Sequence, residues 1–94
     1  MIQSFGSKET EKIWQGEQIK KLPVEIQQLG RRKLRMLNNS MNLQDMKIPP
    51  ANRLEKLTGR SKDYYSIRSN DQWRIVFKWK NNHSYEVEIM DYHK

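Results

Sequence analysis

Five residues in the C-terminal third of the sequence combine phosphate recognition with proton transfer: Arg68, Arg74 and the run Asp91-Tyr92-His93. Arg53, Lys56 and Arg60 precede them and add cations suited to binding RNA phosphates. Arginine presents a planar fork that matches phosphate oxygens in pairs. Histidine exchanges a proton near neutral pH, and tyrosine can donate or position one. Such a set is sufficient for RNA cleavage. A base takes the proton from the 2′-OH, cations stabilise the crowded anionic phosphorane, and an acid protonates the leaving 5′-oxygen. The substrate supplies its own nucleophile, so the chemistry calls for no metal and no cofactor. Read residue by residue, the same tail also fits a packing role, with Tyr92 capping the core and His93 fraying beyond it.

Other chemistries fall away on composition. There is no Cys, which excludes disulfides, thiol catalysis and cysteine-ligated zinc. His83 and His93 are the only histidines, and neither belongs to a spaced ligand set with carboxylates. The 4 glycines are isolated, so no phosphate-cradling loop is present, and no Gly-x-Ser-x-Gly segment exists for acyl transfer. Lys and Arg total 18 against 11 Asp and Glu, a formal charge of +7 on 94 residues, which attracts polyanions. A membrane-surface helix would gather these cations on one segment beside bulky apolar residues, and they are instead dispersed. No apolar run is long enough to span a bilayer, and the N-terminus lacks a signal-peptide core, so the expected location is the cytoplasm. Residues 31–35 read equally as a solvated helix face or a basic patch. Arg53 to Arg74 fall on loops and strands expected to share one surface, which makes nucleic acid the leading partner.

These side chains need a scaffold, and the chain has length for one domain, residues 1–94. Three Trp, four Tyr and two Phe give a polar sequence a concentrated core and argue against disorder. Residues 1–5 alternate apolar and polar, as a short opening strand does. Ser7 can cap a helix anchored by Ile13 and Trp14 and ended by Gly16. Pro23 suits the first turn of a second helix, whose apolar face is Leu22, Ile26, Leu29, Leu34 and Leu37. Asn38 to Ser40 end it, residues 41–47 allow one more helical turn, and Pro49-Pro50 stop any continuation. The period then changes to two. Strands are expected over 53–57, 64–68, 73–80 and 85–89, with turns at 58–63, 69–71 and 81–83. Within 73–80, Trp73, Ile75, Phe77 and Trp79 face one side and Arg74, Val76, Lys78 and Lys80 the other. The fold class is α+β, with helices on one face of a small antiparallel sheet. Arg74 is expected on the opposite face, its guanidinium outside the core and free to meet a phosphate.

Several segments, in order, resemble the HigB toxins of the RelE/ParE superfamily, from bacterial type II toxin–antitoxin systems. They are the opening Met1 to Phe5, the Leu-x-x-Leu-x-Gly stretch from Leu54 to Gly59, Tyr65 to Arg68 followed by Asn70 to Ile75, and the closing Asp91-Tyr92-His93. The resemblance implies a ribosome-dependent endoribonuclease that cuts mRNA in the A site and halts translation. It also implies a HigA-like helix-turn-helix antitoxin, through which the complex would bind operator DNA. By position, Arg74 would stabilise the scissile phosphate, assisted by Arg68, while Asp91, Tyr92 and His93 would form the terminal cluster, with His93 moving the proton. Some relatives carry a catalytic His directly after the first Leu of Leu-x-x-Leu-x-Gly. Glu55 stands there in this sequence, so either Glu55 takes part as a base, this branch relies on His93, or the activity is weaker. A ParE-like gyrase inhibitor shares the fold but needs no acid–base cluster. A non-catalytic RNA- or ribosome-binding module would explain the charge equally well.

Overall fold

Helices form where caps and apolar spacing agree. In the computed structural model, which describes residues 1–58 and 63–91, the Ser7 side chain accepts from the Thr10 amide and starts α1, Lys8–Trp14. Gly16, at φ +90, terminates it in the left-handed region that glycine tolerates. The carbonyl of Ile13 near the end of α1 accepts from Arg31 Nε at 2.8 Å. Arg31, one cation of the 31–35 run, is thereby a helix cap, while Arg32 and Arg35 remain exposed. Helix α2 spans Val24–Asn39, with Pro23 just outside it as the N-cap residue rather than in the first turn. Its buried face is Ile26, Gln27, Gly30, Leu34 and Leu37. The expected face is rotated slightly, with Leu29 only half-buried. Gly30 is the reason: a Cβ there would lie 2.9 Å from Ile89 Cδ1, so the missing side chain lets α2 settle onto the sheet.

Two short 3₁₀ turns follow, Leu43–Lys47 and Pro50–Asn52. Pro50 begins the second turn instead of merely ending the first, as its ring suits an N-terminal helical position. Four strands then form an antiparallel meander in the order β1 (Glu55–Lys56), β2 (Tyr64–Arg68), β3 (Trp73–Lys80) and β4 (His83–Asp91). Strand β1 is shorter than the expected 53–57 because Arg53 is left-handed, at φ 44, and cannot extend the ladder. Ile75, Phe77 and Trp79 project toward the helices and join Ile13, Ile26, Leu34, Leu37, Met46, Ile67, Val87 and Ile89 in one core. Phe77 lies between Tyr65 and Trp79, with ring centroids 6.3 Å from each.

The opening segment runs parallel to β4 but makes only two bridges, Ile2 with Ser84 and Phe5 with Val87. A bulge in β4 interrupts a continuous strand there. Between the Val76–Glu88 and Lys78–Tyr85 pairs, two residues of β4, Glu86 and Val87, oppose the single Phe77 of β3; Glu86 takes φ 52, and its amide turns to Ser4 Oγ at 2.9 Å. Further along β4, the Ile89 amide donates to the buried Thr10 Oγ1 at 2.9 Å, which ties α1 to the edge of the sheet. Thr10→Val keeps the shape and removes that acceptor. It is expected to cost about 1–3 kcal/mol of stability, read as a lowered midpoint in urea unfolding with an unchanged slope.

Candidate active site on the open face of the sheet

Residues paired directly across an antiparallel ladder share a face. Glu55 pairs with Ser66, Ser66 with Val76, and Arg68 with Arg74, so all five lie on the face turned away from the helices. The two arginines are direct neighbours. Asp71, at the β2–β3 turn, forms an ion pair with Arg68 and offsets part of that repulsion.

Arg74 is not free. It is 9% exposed. Its Nε donates to Ser66 Oγ at 2.8 Å, and its Nη2 to the carbonyls of Arg53 at 2.6 Å and Ser66 at 3.3 Å. The Glu55 carboxylate lies 3.7 Å from the same Nη2. Strand alternation places Arg74 correctly on the open face. The segment carrying Arg53 then folds over it, because a guanidinium buried in a sheet needs acceptors and backbone carbonyls supply them.

The left-handed Arg53 carbonyl is held by what precedes it. Asn52 is fully buried, and its Nδ2 donates to the Met46 carbonyl at 3.1 Å and to Met36 Sδ at 2.9 Å. Its Oδ1 accepts from Lys33 on α2. Burial pushes the Lys33 ammonium below its ordinary 10.5, and the nearby charges of Arg32 and Arg68 add to the effect. With its folded-state value lowered, protonated Lys33 costs the folded state, and the cost is relieved as pH rises toward 10.5. Arg68, paired directly with Arg74, adds a second positive charge on the open pleat, a setting that favours a phosphate.

The remaining expected site residues divide. Lys56 pairs with Tyr65 and so sits on the opposite pleat from Glu55, which means the cations from Arg53 to Arg74 do not share one surface. A two-residue strand with alternating side chains makes this unavoidable. Asp91 pairs with Trp73, again on the pleat opposite Arg74, and accepts from Gln72 Nε2 at 3.1 Å. Arg60, Tyr92 and His93 lie outside the described residues. His83 Nδ1 lies 3.3 Å from both the Met1 amine and Gln3 Nε2, at the start of β4 instead of in a loop. Among the described residues no cluster of His, Asp and Glu could hold a metal. Sequence reasoning missed Ser66 and Asn52. A lone polar residue between Tyr65 and Ile67, two before Arg68 on the same pleat, was the available signal for Ser66; nothing local marks Asn52.

Helices on one side of a four-stranded antiparallel sheet make a fold shared with a solved structure. A chain of the YoeB–YefM complex from Staphylococcus aureus superposes with a TM-score of 0.60, covering 100% of this chain and 99% of that one at 18% identity. The model of the HigB-like family, RelE-like toxins of type II toxin–antitoxin systems, matches residues 3–93, and this chain belongs to that family. Toxin HigB-1 of Vibrio cholerae is 36% identical over 80 residues, 84% of each chain. An uncharacterised protein of Haemophilus influenzae is 40% identical over 67 residues, 71% of this chain and 66% of that protein.

Proposed function

We propose that this toxin is a metal-independent, ribosome-dependent endoribonuclease that cuts mRNA in the A site. The observation that carries the reading is Arg74, anchored on the open pleat beside Glu55 and directly opposite Arg68. The scissile phosphate meets this arginine pair. Glu55 or His93 removes the 2′-OH proton, the 2′-oxygen bonds to phosphorus, and the P–O5′ bond breaks. The 5′-oxygen leaves with a proton from the terminal Tyr92-His93 cluster, giving a 2′,3′-cyclic phosphate and a 5′-hydroxyl end. Family membership supports a HigA-like antitoxin as the partner that holds the toxin in check and brings the complex to operator DNA. The work is done in the cytoplasm, where translating ribosomes are.

Mapping of cellular mRNA ends after induction tests the reading. New 5′-hydroxyl ends at A-site codons are expected. Intact mRNA with broken chromosomal DNA would indicate a gyrase poison, and ribosome association without new ends a binding module. A charge of +7 attracts RNA without choosing a codon. Naked RNA is therefore expected to bind weakly, with a log–log salt slope near ~−4 for about six phosphate contacts, and to be cut only slightly. Vigorous, salt-insensitive cleavage of purified RNA contradicts ribosome dependence.

A further inference from the structure

A guanidinium has five N–H donors, one on Nε and two on each Nη. In Arg74 the Nε donor is taken by Ser66 Oγ, and Nη2 is occupied by two carbonyls. Among the described residues Nη1 makes no hydrogen bond. The side-on fork with which arginine grips two oxygens is therefore already spent inside the protein, and Nη1 is the nitrogen left without a partner among the described residues. We infer that Arg74 meets the scissile phosphate through Nη1 alone and that Ser66, acting through Arg74, is the positioning residue that aims it; the inference rests on the ribonuclease reading. Ser66 is suited to the task because it is fully buried and holds Arg74 at two points, through its hydroxyl and its own carbonyl. The Arg53 carbonyl supplies the third, from a segment locked by Asn52. Three fixed acceptors define the plane of the guanidinium before substrate arrives, and such preorganisation is what transition-state stabilisation requires.

Two measurements on the full-length toxin decide the matter. In nitrogen-15 NMR, the Arg74 Nε–H, assigned by its loss in Arg74→Lys, is expected to exchange slowly with water. Ser66→Ala is expected to accelerate that exchange, and Ser66→Thr, which keeps a hydroxyl, to preserve it. On programmed ribosomes, Ser66→Ala is expected to lower the single-turnover cleavage rate by about tenfold, with the half-saturating ribosome concentration unchanged. Ser66→Thr should recover most of that rate, and Ser66→Ala should have little further effect in an Arg74→Lys background. Thermal midpoints accompany each variant; if Ser66→Ala does not fold, the wild-type Nε–H signal and Ser66→Thr carry the test. A rapidly exchanging wild-type Nε–H, or Ser66→Ala at the full cleavage rate, overturns the inference. A slow Nε–H in a wild-type protein that cuts no ribosome-bound mRNA leaves the geometry standing and overturns the ribonuclease reading, and with it the role of Ser66 in cleavage.

Discussion

His93→Ala is expected to lower cleavage of ribosome-bound mRNA by roughly 10²–10⁴-fold, the range lost when a general acid or base is removed. An imidazole can both take and give a proton in the working pH range of a cell. A proton-transfer role should give wild type a limb in its pH–rate profile that the variant lacks. The control is the thermal midpoint, which separates lost chemistry from lost fold. Ribosome association should persist, since removing a proton-transfer group alters the barrier and leaves electrostatic attraction in place. Equal toxicity of variant and wild type on induction would remove His93 from the mechanism and pass the base to Glu55, 3.7 Å from Arg74. Glu55→Gln would then carry the larger loss.

Replacing Arg74 should cost nearly as much, for a reason visible only in three dimensions. Arg74→Lys keeps the charge and removes the planar array that bonds Ser66 and the Arg53 carbonyl together. One ammonium cannot satisfy both anchors and also reach a phosphate. Single-turnover cleavage is expected to fall by at least about tenfold, or ~1.4 kcal/mol in the barrier, with ribosome association nearly retained. Arg74→Ala, which removes the positive charge as well, should cost about 10²–10³-fold, the loss typical of deleting one preorganised donor to a developing anion. It should also lower stability by about 1–3 kcal/mol, because the Ser66 hydroxyl and the Arg53 carbonyl lose their donor inside the protein. Cleavage by Arg74→Lys at the full rate would return Arg74 to the electrostatic background and leave the phosphate to Arg68.

Much of the scaffold was legible in the sequence because its signals are local. Ser7 and Gly16 bracket α1 through bonds within a few residues, and the alternation from Trp73 to Lys80 assigns each side chain of β3 to a face with no knowledge of its neighbours. The same alternation put Arg74 on the open face, whereas its pairing across from Arg68 is set by the strand register. Local periodicity cannot say what covers a residue. Arg74 is enclosed because Arg53, 21 positions earlier, turns its carbonyl inward, and Arg53 is so placed because Asn52 is fastened to Met46 and to Lys33 on α2. The bulge at Glu86 likewise depends on Ser4, 82 positions away, and it reduced the opening strand to two bridges. Residue types and periods set which chemistry the chain carries and which face each group takes. The satisfaction of a buried guanidinium is a demand on distant segments together, and only the packed structure decides which of its five donors remains for a phosphate.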